Sequence, residues 1–82
     1  MNKNVSKVFL ASDHRGAGLK LYLIEMLTAA GYSVVNLGVD DPNTMVDYPD
    51  VAKNLADAMA DDPRARGILI CGSGIGISIA AN

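Results

Sequence analysis

Apolar residues along this chain alternate between short continuous runs and stretches of helical spacing. Lys7 to Ser12, KVFLAS, is a short and mostly apolar run that stops at Asp13, and it predicts a buried strand. From Gly16 to Gly31 the period changes. Leu19, Leu23, Leu27 and Ala30 line one face while Lys20, Glu25 and Thr28 lie elsewhere, which predicts an amphipathic helix closed by Gly31 as its C′ residue. Tyr22, Ile24 and Met26 widen the apolar surface beyond one stripe, so a second contact, such as another subunit, is expected to cover them. Tyr32 to Gly38, YSVVNLG, is rich in β-branched residues and predicts the second strand. Asp40-Asp41-Pro42-Asn43 is a turn signal. Val51, Ala52, Leu55, Ala58 and Met59 then recur at helical spacing, with Pro49 and Asp50 suited to the first turn. DDPRARG ends that helix. Gly67 to Cys71, GILIC, predicts a third strand buried on both faces, and GSGIGISIAAN predicts a loop that turns into the start of a helix.

The predicted order is β-α-β-α-β-α, which implies an α/β fold with a parallel sheet, helices on its faces and right-handed crossovers. Ligands of such sheets bind at the carboxyl ends of strands, beside a topological switch point. The first strand ends at SDHRG and the third at CGSGIG, so a spatial order 2-1-3 would make those two ends neighbours at one crevice. Ile75 to Asn82 gives barely two helical turns without a C-cap residue. The sequence is therefore expected to be a fragment, or to have its last helix completed by another chain.

Composition narrows the function classes. Half of the 82 residues are apolar and a fifth are charged, a mixture that folds; a chain this short is one domain at most and buries about 60% of its unfolded surface. The net charge of −2, with Lys and Arg scattered, gives no basic stripe for nucleic acid or an anionic membrane. The apolar stretch Val8 to Ser12 is too short for a signal peptide or a membrane span, and the expected location is the cytoplasm. The chain's one cysteine, Cys71, cannot form a disulfide within the chain or build a cysteine zinc site.

Cys71 stands at the mouth of a glycine loop, and the familiar anion loops fail there at one residue each. A P-loop needs a Lys after its last glycine, and GSGIGIS has none. A dinucleotide fingerprint needs glycine where Ile77 stands and an acidic residue downstream; a C-x5-R phosphatase loop needs Arg at the same position. What is left is a thiol beside backbone amides that glycines let turn inward, an anion-binding nest that a helix N-terminus would reinforce. That positive end would lower the thiol pKa and favour a thiolate base or nucleophile. The competing reading is a small buried hydrophobe at a strand end. Asp13 and His14 bear on the choice, because they are the first residues after strand one, where loop residues face the crevice, and His14 is the chain's one histidine. Taken singly, Asp13 could be a helix N-cap worth about 1 kcal/mol, and His14 and Arg15 solvated loop residues. Tyr48 could be a hydrophobic staple or a lid over the crevice. A weak base with an oxyanion nest suits proton abstraction next to a carbonyl, the nest stabilising an enediolate.

ASDHRG at 11–16, VDYPD at 46–50 and GILICGSGIGISIAAN at 67–82, in this order and spacing, closely resemble the ribose-5-phosphate isomerase B family, which includes galactose-6-phosphate isomerases. The likeness spans essentially the whole chain and makes it the N-terminal portion of a single Rossmann-like sugar-phosphate isomerase domain, residues 1–82, cut after the start of its third helix. It implies that Cys71 is the base moving a proton between C1 and C2 of the open-chain sugar. Gly72, Ser73, Gly74, Ile75 and Gly76 would be the loop holding the enediolate, Ser73 keeping the hydroxyl of a Thr found in many relatives. Asp13 and His14 would be a substrate-contacting pair, the histidine toward the phosphate, and Tyr48 a residue near the substrate. The resemblance implies no metal and no organic cofactor. It implies a dimer or tetramer sharing the site between subunits, and a place in the pentose phosphate pathway. The family's ring-opening histidine and phosphate-binding arginines come from a later half, so the 82 residues alone are expected to be inactive. The competing expectations are a non-catalytic sugar-phosphate-binding or partner subunit, an isomerase of six-carbon sugar phosphates, and a thiol redox sensor, the last weakened by the lack of a resolving cysteine.

Overall fold

All five residues of strand β1 (Val8–Ser12) are buried, which places it in the middle of the sheet. The computed structural model describes residues 5–71 and 74–78, residue 48 and the last five by their backbone alone. After β1 come helix α1 (Ala17–Ala29), strand β2 (Val34–Asn36), helix α2 (Tyr48–Met59), strand β3 (Arg66–Cys71) and strand β4 (Gly74–Ser78). The sheet order is β2-β1-β3-β4. β1 runs parallel to both neighbours, Leu10 pairing with Asn36 on one side and Ile68 on the other. The expected 2-1-3 arrangement is present, β2 and β3 being added on opposite sides of β1.

Alternation along the strands separates the two faces of the sheet. Phe9, Ala11 and Leu69 turn to one face, where Val51, Leu55 and Met59 of α2 and the buried Ala65 complete an apolar core. The three α2 residues are four apart and form a single stripe. Gly67 belongs to this contact, since a Cβ there would meet the Met59 sulfur at 2.5 Å. On the opposite face α1 approaches the sheet at Gly16, where a Cβ would lie 2.7 Å from Ile70 Cγ2 and 2.8 Å from the Ile70 carbonyl oxygen. Helix, sheet and helix make three layers.

The ends of α1 and α2 follow their sequence signals. Gly31 is the C′ residue of α1 with φ +95°. Its N–H donates to the Thr28 carbonyl at 3.0 Å and that of Tyr32 to Leu27 at 3.1 Å, the paired bonds of a Schellman motif. Asp41-Pro42-Asn43-Thr44 is a turn closed by the Thr44 N–H on the Asp41 carbonyl at 3.0 Å, with the Asp41 carboxylate accepting from the Asn43 N–H. Asp47 is the N-cap residue of α2, and Pro49 sits in its first turn.

Two expectations are corrected. The buried face of α1 is not the Leu19 stripe: Leu19 is 41% exposed, whereas Ala17 and Lys20 are buried and Leu23, Ile24 and Leu27 half-buried. A helix apolar on most sides gives no direction by pattern alone, and here the close approach of Gly16 and the partners of Lys20 set its rotation. The second correction concerns the third helix expected after Cys71. Gly74–Ser78 instead forms β4, antiparallel to β3 with Cys71 opposite Gly74 and Ile70 opposite Ile75, so the sheet is mixed rather than wholly parallel. Gly-Ile-Gly-Ile-Ser alternates β-branched residues at period two, and an antiparallel return needs a short connection where a new helix needs a costly nucleus. The expected continuation through Asn82 lies outside the described residues. Among the described residues no helix is long and apolar enough to cross a membrane.

Candidate active site

The switch point beside β1 brings the predicted residues from β1 and β3 together. Ser12 pairs with Ile70, and the Asp13 N–H continues the ladder by donating to the Ile70 carbonyl at 3.1 Å. Asp13 and Cys71 are therefore the next residues on two adjacent strands. Asp13 is not the N-cap of α1, which is Gly16; its Oδ1 accepts from the Arg15 N–H at 3.0 Å and the Gly16 N–H at 2.9 Å, folding the loop into an Asx turn. This turn directs the chain from strand end to helix start, with Gly16 tight against Ile70.

His14 is half-buried, and its Nδ1 is buried without a hydrogen-bond partner among the described residues. An imidazole nitrogen in that condition is costly unless a ligand or water meets it. The ring lines a cleft of about 450 Å³ together with Ser12, Leu37, Gly38, Val39 and the start of α2. Asp47, Asp50 and Asn54 close the α2 side. Two carboxylates there suit the positive end of the helix. Cys71 does not line this cleft; it lies across β1 from β2, at the β1–β3 junction.

The remaining predicted residues are placed as follows. Tyr48 is the first residue of α2, between Asp47 and Asp50 of the cleft wall, and its side chain lies outside the described residues. Gly72 and Ser73 lie outside them as well. Gly74, Ile75 and Gly76 belong to β4. Among the described residues no helix begins after the thiol to lower the Cys71 pKa as expected, since Gly74–Ser78 pairs with β3. Among the described residues, no three His, Cys, Asp or Glu side chains gather as a metal ion would require.

The sequence reading missed the wall opposite His14. Gly38 takes φ +92°, with nothing within 4 Å of where a Cβ would be. The Ser12 N–H donates to the Gly38 carbonyl at 2.8 Å, the Val39 N–H to the Ser12 carbonyl at 3.0 Å, and Ser12 Oγ to the Val39 carbonyl at 3.2 Å. Behind it, Lys20 Nζ donates to Asn36 Oδ1 at 2.7 Å and forms an ion pair with Asp40. Asp40 is held below the usual carboxylate range, first by that Lys20 bond and then by one from Asn36. A signal for the α2 side was present: Asp47, Asp50 and Asn54 flank the apolar stripe at helical spacing.

The family model for Ribose/Galactose Isomerase matches residues 8–82. This chain belongs to the ribose/galactose isomerase family. Within the family it is 43% identical over 75 residues to a probable ribose-5-phosphate isomerase B of Mycoplasma pneumoniae, covering 92% of this chain and 49% of that protein. Two solved family structures superpose with a TM-score of 0.76. One is ribose-5-phosphate isomerase B of Clostridium thermocellum, 43% identical over 93% of this chain and 51% of that one. The other is the Mycoplasma genitalium enzyme with bound ribulose-5-phosphate, 42% identical over the same shares. Their likeness makes the three-layer α/β architecture a Rossmann-like fold. The chain spans about half the length of the family members it matches.

Proposed function

We propose that this chain supplies the base-bearing half of an aldose–ketose isomerase that interconverts ribose 5-phosphate and ribulose 5-phosphate through a cis-enediolate. The observation that carries the reading is the juncture of β1 and β3, where the Asp13 amide bonds to the Ile70 carbonyl, so that Asp13 and Cys71 follow the paired Ser12 and Ile70 on adjacent strand ends. Membership of the ribose/galactose isomerase family supports it.

In this mechanism the Cys71 thiolate removes the proton from C2 of the open-chain aldose. The electrons of that C–H bond form the C1–C2 double bond, and the carbonyl oxygen at C1 becomes an oxyanion. Returning the proton to C1, with the hydroxyl proton of O2 passing to O1, yields the ketose with no net gain or loss of atoms or electrons. The Ser73 hydroxyl and those backbone amides of Gly72 to Gly76 that the β3–β4 ladder leaves open hold the oxyanion. His14, with its open Nδ1, meets the phosphate end, Asp13 a sugar hydroxyl, and Tyr48 lies near the bound sugar. Cys71 acts as base by its place at the strand end and by family likeness. The proposal includes a cytoplasmic homodimer or tetramer whose subunits share each site, working in the pentose phosphate pathway. No cofactor enters the step.

The test is steady-state isomerisation by the full-length protein. Cys71→Ala is expected to lower kcat by about 10³-fold or more while substrate binding is largely retained. Unchanged turnover or cellular function in that variant would overturn the role of the base and favour a non-catalytic sugar-phosphate-binding subunit. Comparison of ribose 5-phosphate with allose 6-phosphate and galactose 6-phosphate decides the sugar, and the isolated 82 residues are expected to show no turnover.

A further inference from the structure

Lys20 is the largest fully buried side chain in the described structure, at 0% exposure, and the proposed chemistry does not use it. We propose that Lys20 is a positioning residue for the sugar-phosphate site, holding the Gly38–Val39 wall of the cleft against Ser12 and the Asp13–His14 pair. This rests on the proposed function, in which His14, a residue of that cleft, meets the phosphate end of the sugar.

A buried ammonium is stable only when its donors are met. The partners of Lys20 are two ends of one turn: Asn36, the last residue of β2, and Asp40, four residues on. The same two residues bind each other, Asn36 Nδ2 donating to Asp40 Oδ1 at 2.8 Å, and Asn36 Oδ1 also accepts from the Gly38 N–H at 2.9 Å. The turn is thus closed around the ammonium. Inside it, Gly38 has a left-handed backbone and open space where a side chain would be. Packing at Gly38 therefore does not choose the conformation, and polar contacts do. On its other side this turn is bound to Ser12 by the three hydrogen bonds already described, and Ser12 precedes Asp13. Leu37, Gly38 and Val39 line the cleft. Lys20 itself cannot touch substrate, because it has no exposed surface and its charge is met by Asp40. It acts through the turn.

The experiment compares Lys20→Met and Asp40→Ala in the full-length protein. Asp40 is 62% exposed at its side chain, so its removal tests the clamp even where Lys20→Met fails to fold. Both variants are expected to raise KM for ribose 5-phosphate about tenfold while kcat changes less than about threefold, since Cys71 stands on β3, which the clamp does not touch. A tie that merely stabilises the fold would reduce the active fraction instead. In that case kcat would drop at constant KM, and the proposal fails. Amide exchange gives a second readout that needs no turnover. In Asp40→Ala the amides of Gly38 and Val39 are expected to exchange about tenfold faster or more, with the Asp13 amide unchanged. Should the unmodified protein not isomerise ribose 5-phosphate, the functional reading falls by itself, and unchanged exchange at Gly38 and Val39 would sink the positioning role separately.

Discussion

The two helices hold the sheet by different physics. On the α2 side, Val51, Leu55 and Met59 press into Phe9, Ala11 and Leu69, and the contact is apolar throughout. On the α1 side the decisive contacts are a glycine against the Ile70 backbone and a buried lysine tied to Asn36 and Asp40. The first kind is tolerant and non-directional; the second fixes angles and spacing, because hydrogen bonds and steric contact weaken within fractions of an ångström. The side that borders the strand ends of β1 and β3 is the directional one. The apolar contact stabilises the fold, and the directional one holds the Gly38 turn, which walls the cleft together with the polar start of α2.

That contrast can be broken from the α2 side first. Leu55→Ala removes a side chain with 2% exposure and is expected to cost about 2–5 kcal/mol in denaturant unfolding, while KM of the folded fraction stays unchanged. A shifted KM would mean that the apolar face also shapes the site. Gly16→Ala probes the other side. Its Cβ would collide with backbone, which cannot rotate away, so a loss of about 1–3 kcal/mol is expected, accompanied by weaker substrate binding. Equal affinity in this variant would remove the distinction between the faces. Gly38→Ala meets no atoms, so its penalty is purely conformational, about 1–2 kcal/mol from the left-handed backbone, and a crystal structure should show the turn displaced. The smallest effect concerns a half-buried carboxylate away from both faces. Asp62 is held below its usual value chiefly by the Ser6 hydroxyl. A folded pKa below the unfolded one gives stability that is present above about pH 4 and lost as pH falls through the folded value. Asp62→Asn is therefore expected to flatten the fall of Tm in that acid range and leave neutral activity alone.

Legibility in the sequence follows the same division. Strands β1 to β3, the α2 stripe, Gly31 as the end of α1 and the Asp41 turn were readable because each depends on residues within a few positions. Asp13 and Cys71 were readable as neighbours once the 2-1-3 order was supposed, because strand ends in a parallel sheet have fixed company. The rotation of α1 was not. Its partners Asn36 and Asp40 lie 16 and 20 residues from Lys20, and a lysine among leucines gives a pattern the same weight whether its ammonium meets water or a carboxylate. β4 was hidden for a related reason: Gly-Ile-Gly-Ile satisfies a glycine loop and an edge strand equally well, and the open edge of β3 decides between them. The cleft wall at Gly38 needed the ladder to Ser12, which periodicity does not register.

β4 also bears on how this chain behaves in company. A sheet edge is a row of unpaired amides and carbonyls that will template another chain. With β4 on β3, the six-residue strand β3 has no bare edge, and the edges among the described residues are β2, three residues long, and β4. A three-residue edge offers few successive hydrogen bonds to a foreign strand, so the hairpin of β3 and β4 covers the apolar GILIC segment and leaves the five-residue β4 as the longer edge that another strand would meet.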